Sequence, residues 1–170
     1  TAAIRTFGEV GYAPCALHDE VRRKEGACQI DLHIELFSGS RQLRLLRAGE
    51  ISNETCSFAL KGGRVRIPSV EHQFVHLIGH SLIRHCGHAI GWISLRDLLE
   101  AAALVRWGQE TIDWQAVTER FVAAGYQRPL VSLLLALNDG GWCAVPVTDK
   151  IGALAALQQR RIALQARSTT

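Results

Sequence analysis

Two groups of side chains in this chain have the types and spacing that chemistry needs. The first lies on the stretch Gln29-Ile30-Asp31-Leu32-His33-Ile34-Glu35-Leu36. Successive side chains on a β-strand point to opposite sides. Asp31, His33 and Glu35 therefore share one side with Gln29, while Cys28, Ile30, Leu32, Ile34 and Leu36 share the other. A row of carboxylate, imidazole and carboxylate at period two suits a magnesium or zinc ion. The same alternation also fits an antiparallel strand with one solvated face. The second group is a run of histidines. His72, His76 and His80 stand four residues apart, so each step turns only about 40° around a helix, and His85 and His88 follow. Histidines at i and i+4 are a common metal-binding spacing. No Glu follows His72 or His76, so the run is not the HExxH of a metalloprotease. It also has no His-Asp pair of the kind an HD phosphohydrolase needs. The alternatives are a polar helix face written in histidine, or a His-lined pocket in which Asp97 orients one imidazole.

The elements that must hold these groups are readable from periodicity and breakers. Thr1–Val10 carries a helical stripe of Ala3, Ile4, Phe7 and Val10, stopped by Gly11. Tyr12–Arg23 reads as a strand, Arg23-Lys24-Glu25-Gly26 as a turn, and Ala27–Phe37 as the partner strand. A hairpin of this size is not stable alone, so further strands or a covering layer are expected. Ser38–Asn53 is a polar connection with room for a short helix. Cys56–Leu60 and Arg64–Ile67 flank Lys61-Gly62-Gly63 as a second hairpin. Pro68-Ser69 then marks a boundary, with Ser69 placed to cap a helix. Helices are expected over Val70–Cys86, with a break at Gly87, then Trp92–Trp107, Asp113–Ala124, Arg128–Leu137, and from Thr148 to Ala166. Short loops between them imply a mostly antiparallel bundle. The expected fold class is α+β, with residues 1–67 as a sheet-bearing part and residues 68–170 as a helical domain.

Composition narrows the function classes. Hydrophobic residues are 48% and charged residues 21% of the chain, which supports a packed core and not disorder. The net charge of +3 gives no indication of nucleic-acid binding. The five cysteines form no CxxC and Thr1–Val10 lacks signal-peptide character, so cytoplasmic localisation with reduced thiols is expected. No apolar run is long enough to span a bilayer. The chain contains no methionine, which prompts the expectation that it is a piece of something longer.

Several stretches together resemble a known family. His18–His33, ending in Ile30-Asp31-Leu32-His33, is similar to the strand written IDLHW in the uncharacterised nucleotidyltransferase family of bacteria. Pro68–His80 is similar to that family's PSPEDxLLHLxLH, and His85, Trp92–Asp97 and Asp113-Trp114 follow in the family's order. The resemblance covers about residues 1–147. It departs at Ile34, where the family has Trp, and at His72, where it has Asp. The step from His80 to His85 is also one residue longer than usual. The resemblance implies a nucleotidyltransferase-like sheet, nucleotidyl transfer from a nucleoside triphosphate to an unidentified acceptor, and Mg²⁺ as cofactor. It casts Asp31 as metal ligand or general base. His33, Glu35, His76, His80, His85 and Asp97 are then candidate substrate-binding residues.

The superfamily's Gly-Ser turn and Asp-x-Asp strand have no counterpart here. Gly39-Ser40 comes after the Asp31 strand, and no Asp-x-Asp occurs in the chain. Thr1–Tyr12 resembles the helix that follows the missing strand, so the match is to about the C-terminal two thirds of the family's pattern. On this reading the chain alone is inactive, and it is an enzyme only if a parent protein carries the missing motifs. Two other classes remain open: a binding or regulatory module that pairs with itself or with a sheet-completing partner, and a His-rich metal-binding helical protein.

Overall fold

The computed structural model describes residues 41–60 and 62–146 without interruption, together with residues 5, 9, 11, 13–15, 18–26, 30, 31, 37, 39 and 160. The chain divides into two compact units, residues 1–35 and residues 36–170.

In the first unit, strands β1 (Ala13–Cys15), β2 (His18–Arg23) and β3 (Ile30–Asp31) form an antiparallel sheet in the order β1-β2-β3. The expected single strand over Tyr12–Arg23 is thus two strands that pair, with Ala13 opposite Arg23 and Pro14 opposite Arg22. β2 pairs with β3 through Val21 opposite Asp31 and Arg22 opposite Ile30. Between them Glu25 and Gly26 turn the chain, Gly26 at a φ of 70°, which glycine adopts without a Cβ penalty. Arg5 and Glu9 are helical and pair at i, i+4. The remainder of the expected first helix lies outside the described residues.

The second unit opens with Phe37, which is outside any strand and buried in the helical core. The expected strand over Ala27–Phe37 therefore ends before Phe37. A 3-10 turn (Gln42–Arg44) and α1 (Ala48–Asn53) occupy the polar connection. Arg120 fastens that connection: its Nη1 donates to the Leu45 carbonyl at 2.7 Å and to Glu50 Oε2 at 2.5 Å. The second hairpin forms as expected, β4 (Thr55–Leu60) against β5 (Gly63–Pro68), in register from Thr55–Pro68 to Leu60–Gly63.

Helices follow: α2 (Val70–Ile78), continued by a π-helical turn over Gly79–Arg84, then α3 (Gly87–Ile90), α4 (Leu95–Trp107), α5 (Trp114–Ala124) and α6 (Gln127–Asp139). Ser69 caps α2 by accepting from the His72 N–H. Asp113 caps α5 by accepting from the Gln115 and Ala116 N–H groups at 3.0 Å. One boundary moves. Trp92 lies before its helix, because Ser94 accepts the Asp97 N–H and starts α4 at Leu95. α2, α4, α5 and α6 enclose a core that includes Phe74, Val75, Ile78, Ala101, Val117, Phe121, Leu130, Leu133 and Leu137, all buried. Each of the buried Phe, Val, Ile and Leu side chains among them contributes about 1.5–3 kcal/mol when taken out of water. After α6 the Asn138 amide bonds both backbone groups of Val145, at 3.0 and 2.9 Å, and so fixes the path of the chain beyond the helix. Among the described residues no helix is long and apolar enough to cross a membrane. The fold class is α+β: a mostly helical chain with antiparallel strands towards its N-terminal part.

Candidate functional site

Asp31 is the second residue of β3 and pairs with Val21. His33 and Glu35 lie outside the described residues.

The histidine run is built by α2 and the turn that prolongs it. Apolar residues at 74, 75, 77 and 78 bury one side of α2 and fix its rotation. His72 falls inside the protein at 1% exposure, with Nε2 3.6 Å from Glu54 Oε2 and Nδ1 buried without a hydrogen-bond partner. His76 stays at the half-buried edge, 6.1 Å from the Phe37 ring and 5.7 Å from the His80 ring. Beyond Ile78 the helix widens. The His85 N–H bonds the His80 carbonyl at 3.0 Å, five residues back. On a regular α-helix residues five apart point about 140° away from each other. The π turn closes that angle and sets the rings edge to face, centres 4.4 Å apart and Nε2 to Nε2 at 3.2 Å.

Gly79, the first residue of the wide turn, lets the Phe37 ring lie against the backbone, since a Cβ there would overlap that ring. The turn ends at Cys86, whose φ of 57° is the only positive non-glycine value among the described residues. Gly87 follows because a Cβ at that position would lie 2.7 Å from the Ser81 carbonyl and 2.9 Å from that of Trp92.

His88 goes elsewhere. Its Nδ1 sits 3.3 Å from the hydroxyl of Ser132, which is buried on α6. Burial, and then the positive charge of Arg128, hold the His88 imidazole below its ordinary value of 6.5. At neutral pH it is an uncharged ring with one nitrogen able to donate and the other to accept a hydrogen bond. It lines a cavity of about 530 Å³ with Cys86, Tyr126, Gln127, Arg128 and Pro129 around it. The Arg41 guanidinium stands 5.6 Å from the Tyr126 ring centre and helps to fix it. An apolar wall with a few convergent polar groups is the form of a small-molecule site.

The structure thus brings His76, His80 and His85 together, and sends His72 to Glu54 and His88 to Ser132. Asp97 sits in the first turn of α4, and among the described residues its carboxylate is hydrogen-bonded to none of these imidazoles. The cavity residues Tyr126, Gln127 and Arg128 were not singled out by sequence reasoning. Their one signal is position: they lie between Gly125, in the left-handed conformation that ends α5, and Pro129 in the first turn of α6. Among the described residues no three His, Cys, Asp or Glu side chains are grouped to enclose a metal ion. These residues do not fit a two-magnesium centre, which needs a carboxylate cluster.

An α+β chain with a cavity of small-molecule size among its helices is the class of protein that the described residues define. A family model narrows it: the model of an uncharacterised nucleotidyltransferase matches residues 3–139, and the chain belongs to that family. No curated protein and no solved structure matches the chain.

Proposed function

We propose that the chain is part of a nucleotidyltransferase that moves a nucleotidyl group from a nucleoside triphosphate to a small acceptor. The observation that carries this reading is the family match over residues 3–139. In the whole enzyme the strand part, residues 1–67, contributes Asp31 as metal ligand or as the base that takes the acceptor's proton, with His33 and Glu35 as further substrate-binding residues. Magnesium, when bound, would supply charge neutralisation at the phosphates. The helical part, residues 68–170, shapes the acceptor pocket, and the cavity beside His88, Tyr126 and Arg128 supports that role. The chain by itself transfers nothing, because it carries neither the Gly-Ser turn before the strand nor an Asp-x-Asp. Cytoplasmic residence is in keeping with the free thiols of Cys56, Cys86 and Cys143.

The test is to incubate the purified chain with Mg²⁺, nucleoside triphosphates labelled at the α-phosphate, and a mixture of hydroxyl-bearing small molecules. No label should move. Transfer that disappears in Asp31→Asn would overturn the inactivity and keep the active-site assignment. Transfer indifferent to Asp31 would overturn both.

A second reading, a binding module, is favoured by one observation. Trp92, Leu95, Leu99 and Trp107, on and just before α4, are all at least half exposed. Apolar side chains gathered on one element in this way mark protein contact surfaces.

A further inference from the structure

The His80–His85 pair is absorbed neither by the cavity nor by the proposed transfer. Its geometry is particular. The two Nε2 atoms stand 3.2 Å apart, on rings inclined at 77°. At that separation two imidazole nitrogens can share one proton between them, or they can both turn a lone pair to a common cation. The second possibility can be tested against known bond lengths. Two Zn–N bonds of about 2.05 Å drawn from nitrogens 3.2 Å apart meet at about 103°, close to the tetrahedral angle of about 109°.

Magnesium does not suit such a pair, since it takes oxygen ligands in octahedral order. Imidazole suits zinc and its neighbours, cobalt and nickel. Access is open: His85 is exposed, His80 half-buried, and His76 stands next to His80 on the same helix edge. The pairing also has a structural cause that periodicity alone would not produce. A π turn is rare, and such turns recur at functional positions. Here its local consequence is to bring His85 onto His80, with the left-handed Cys86 ending the turn.

We propose that His80 and His85 form a two-imidazole clamp for a zinc-class divalent cation, with the remaining coordination positions taken by water or by a bound ligand. The clamp does not depend on nucleotidyl transfer, and its test is independent of that reading. With two protein ligands the clamp is not the closed, four-ligand arrangement of a structural zinc site.

The experiment is titration of the untagged chain with Zn²⁺ by calorimetry, followed by Co²⁺, whose visible absorption reports tetrahedral nitrogen coordination. One ion should bind per chain, with Co²⁺ giving a tetrahedral spectrum. His80→Ala and His85→Ala should each weaken binding by at least about tenfold, the scale on which even outer-shell changes act. Circular dichroism would confirm that the helices persist. His85 is exposed, so His85→Ala tests the clamp even if His80→Ala disturbs packing. Cys86→Ser should leave the affinity unchanged. Absence of stoichiometric binding would overturn the proposal. So would binding that survives His85→Ala, or binding lost only in Cys86→Ser.

Discussion

His72 and His88 show two ways of taking an imidazole out of water. His72 reaches Glu54 with one nitrogen and buries the other with nothing to bond. His88 is held by a buried hydroxyl and kept neutral by burial and by Arg128. The second arrangement has a pH signature. The folded protein binds a proton at His88 less readily than the unfolded chain does. As pH falls below the ordinary 6.5, the unfolded state takes up the proton first, and stability is lost until the lowered folded value is passed. Urea denaturation from about pH 8 down to about pH 5 should therefore show a decline that is shallower in His88→Gln than in the parent chain. Equal slopes would mean that the ring titrates alike in both states. At this scale the sequence was partly legible. Four-residue spacing correctly put His76 beside His80. It could not show that His72 lies on the buried side, because the rotation of α2 is set by Phe74, Val75 and Ile78, which pack against residues distant in the chain.

At the scale of elements, most of what local chemistry determines was readable. Ser69 and Asp113 cap their helices, Gly62-Gly63 turns the second hairpin, and Gly87 sits where only glycine fits. The π turn was not readable, since its apolar pattern continues that of α2 and its hydrogen bonds shift by one residue without changing any residue type. The turn begins at a close contact. Phe37 lies against Gly79 so closely that a methyl group would enter the ring. Gly79→Ala should cost about 1–3 kcal/mol, the usual penalty for overfilling a packed core. The urea midpoint would report the loss, with an unchanged slope showing that the fold is retained. A change within about 0.5 kcal/mol would mean that Phe37 moves aside at little cost. Of the long strand expected over Ala27–Phe37, the described residues show Ile30 and Asp31 as strand and Phe37 outside it, because Phe37 is drawn into the helical core.

Across the described residues, the α+β class and the order from the second hairpin to the helix ending at Asp139 followed from periodicity, caps and breakers, while the helix expected from Thr148 to Ala166 lies outside them. The cavity did not. It joins Leu82–Ala89 to Val122–Pro129, segments that no local pattern relates. The exposed apolar residues of α4 also became visible only once burial was known, since Leu95 and Leu99 are in sequence indistinguishable from core leucines. Leu95 at 61% and Leu99 at 50% exposure have little packing to lose. Replacing both with Lys should change folding stability by no more than about 0.5 kcal/mol per site, as for other surface positions. If that face binds a partner or a second copy, the same change should abolish the association. Light scattering over a range of concentrations reads the self-association case directly. A large loss of stability with no change in association would show that the two leucines belong to the core.

The π turn bears on how relatives of this chain should be compared. A π turn is where a helix stores a single extra residue without opening a loop, and the resemblance to the family implies one such extra residue between His80 and His85. A gap in an alignment here would mark a change of pitch inside a continuous helix. A relative could keep both histidines, lose the one residue between them, and present the two rings on different sides. Residue identity would then be inherited while the pairing was not. Length between the two positions, more than the histidines themselves, is the character to trace through the family.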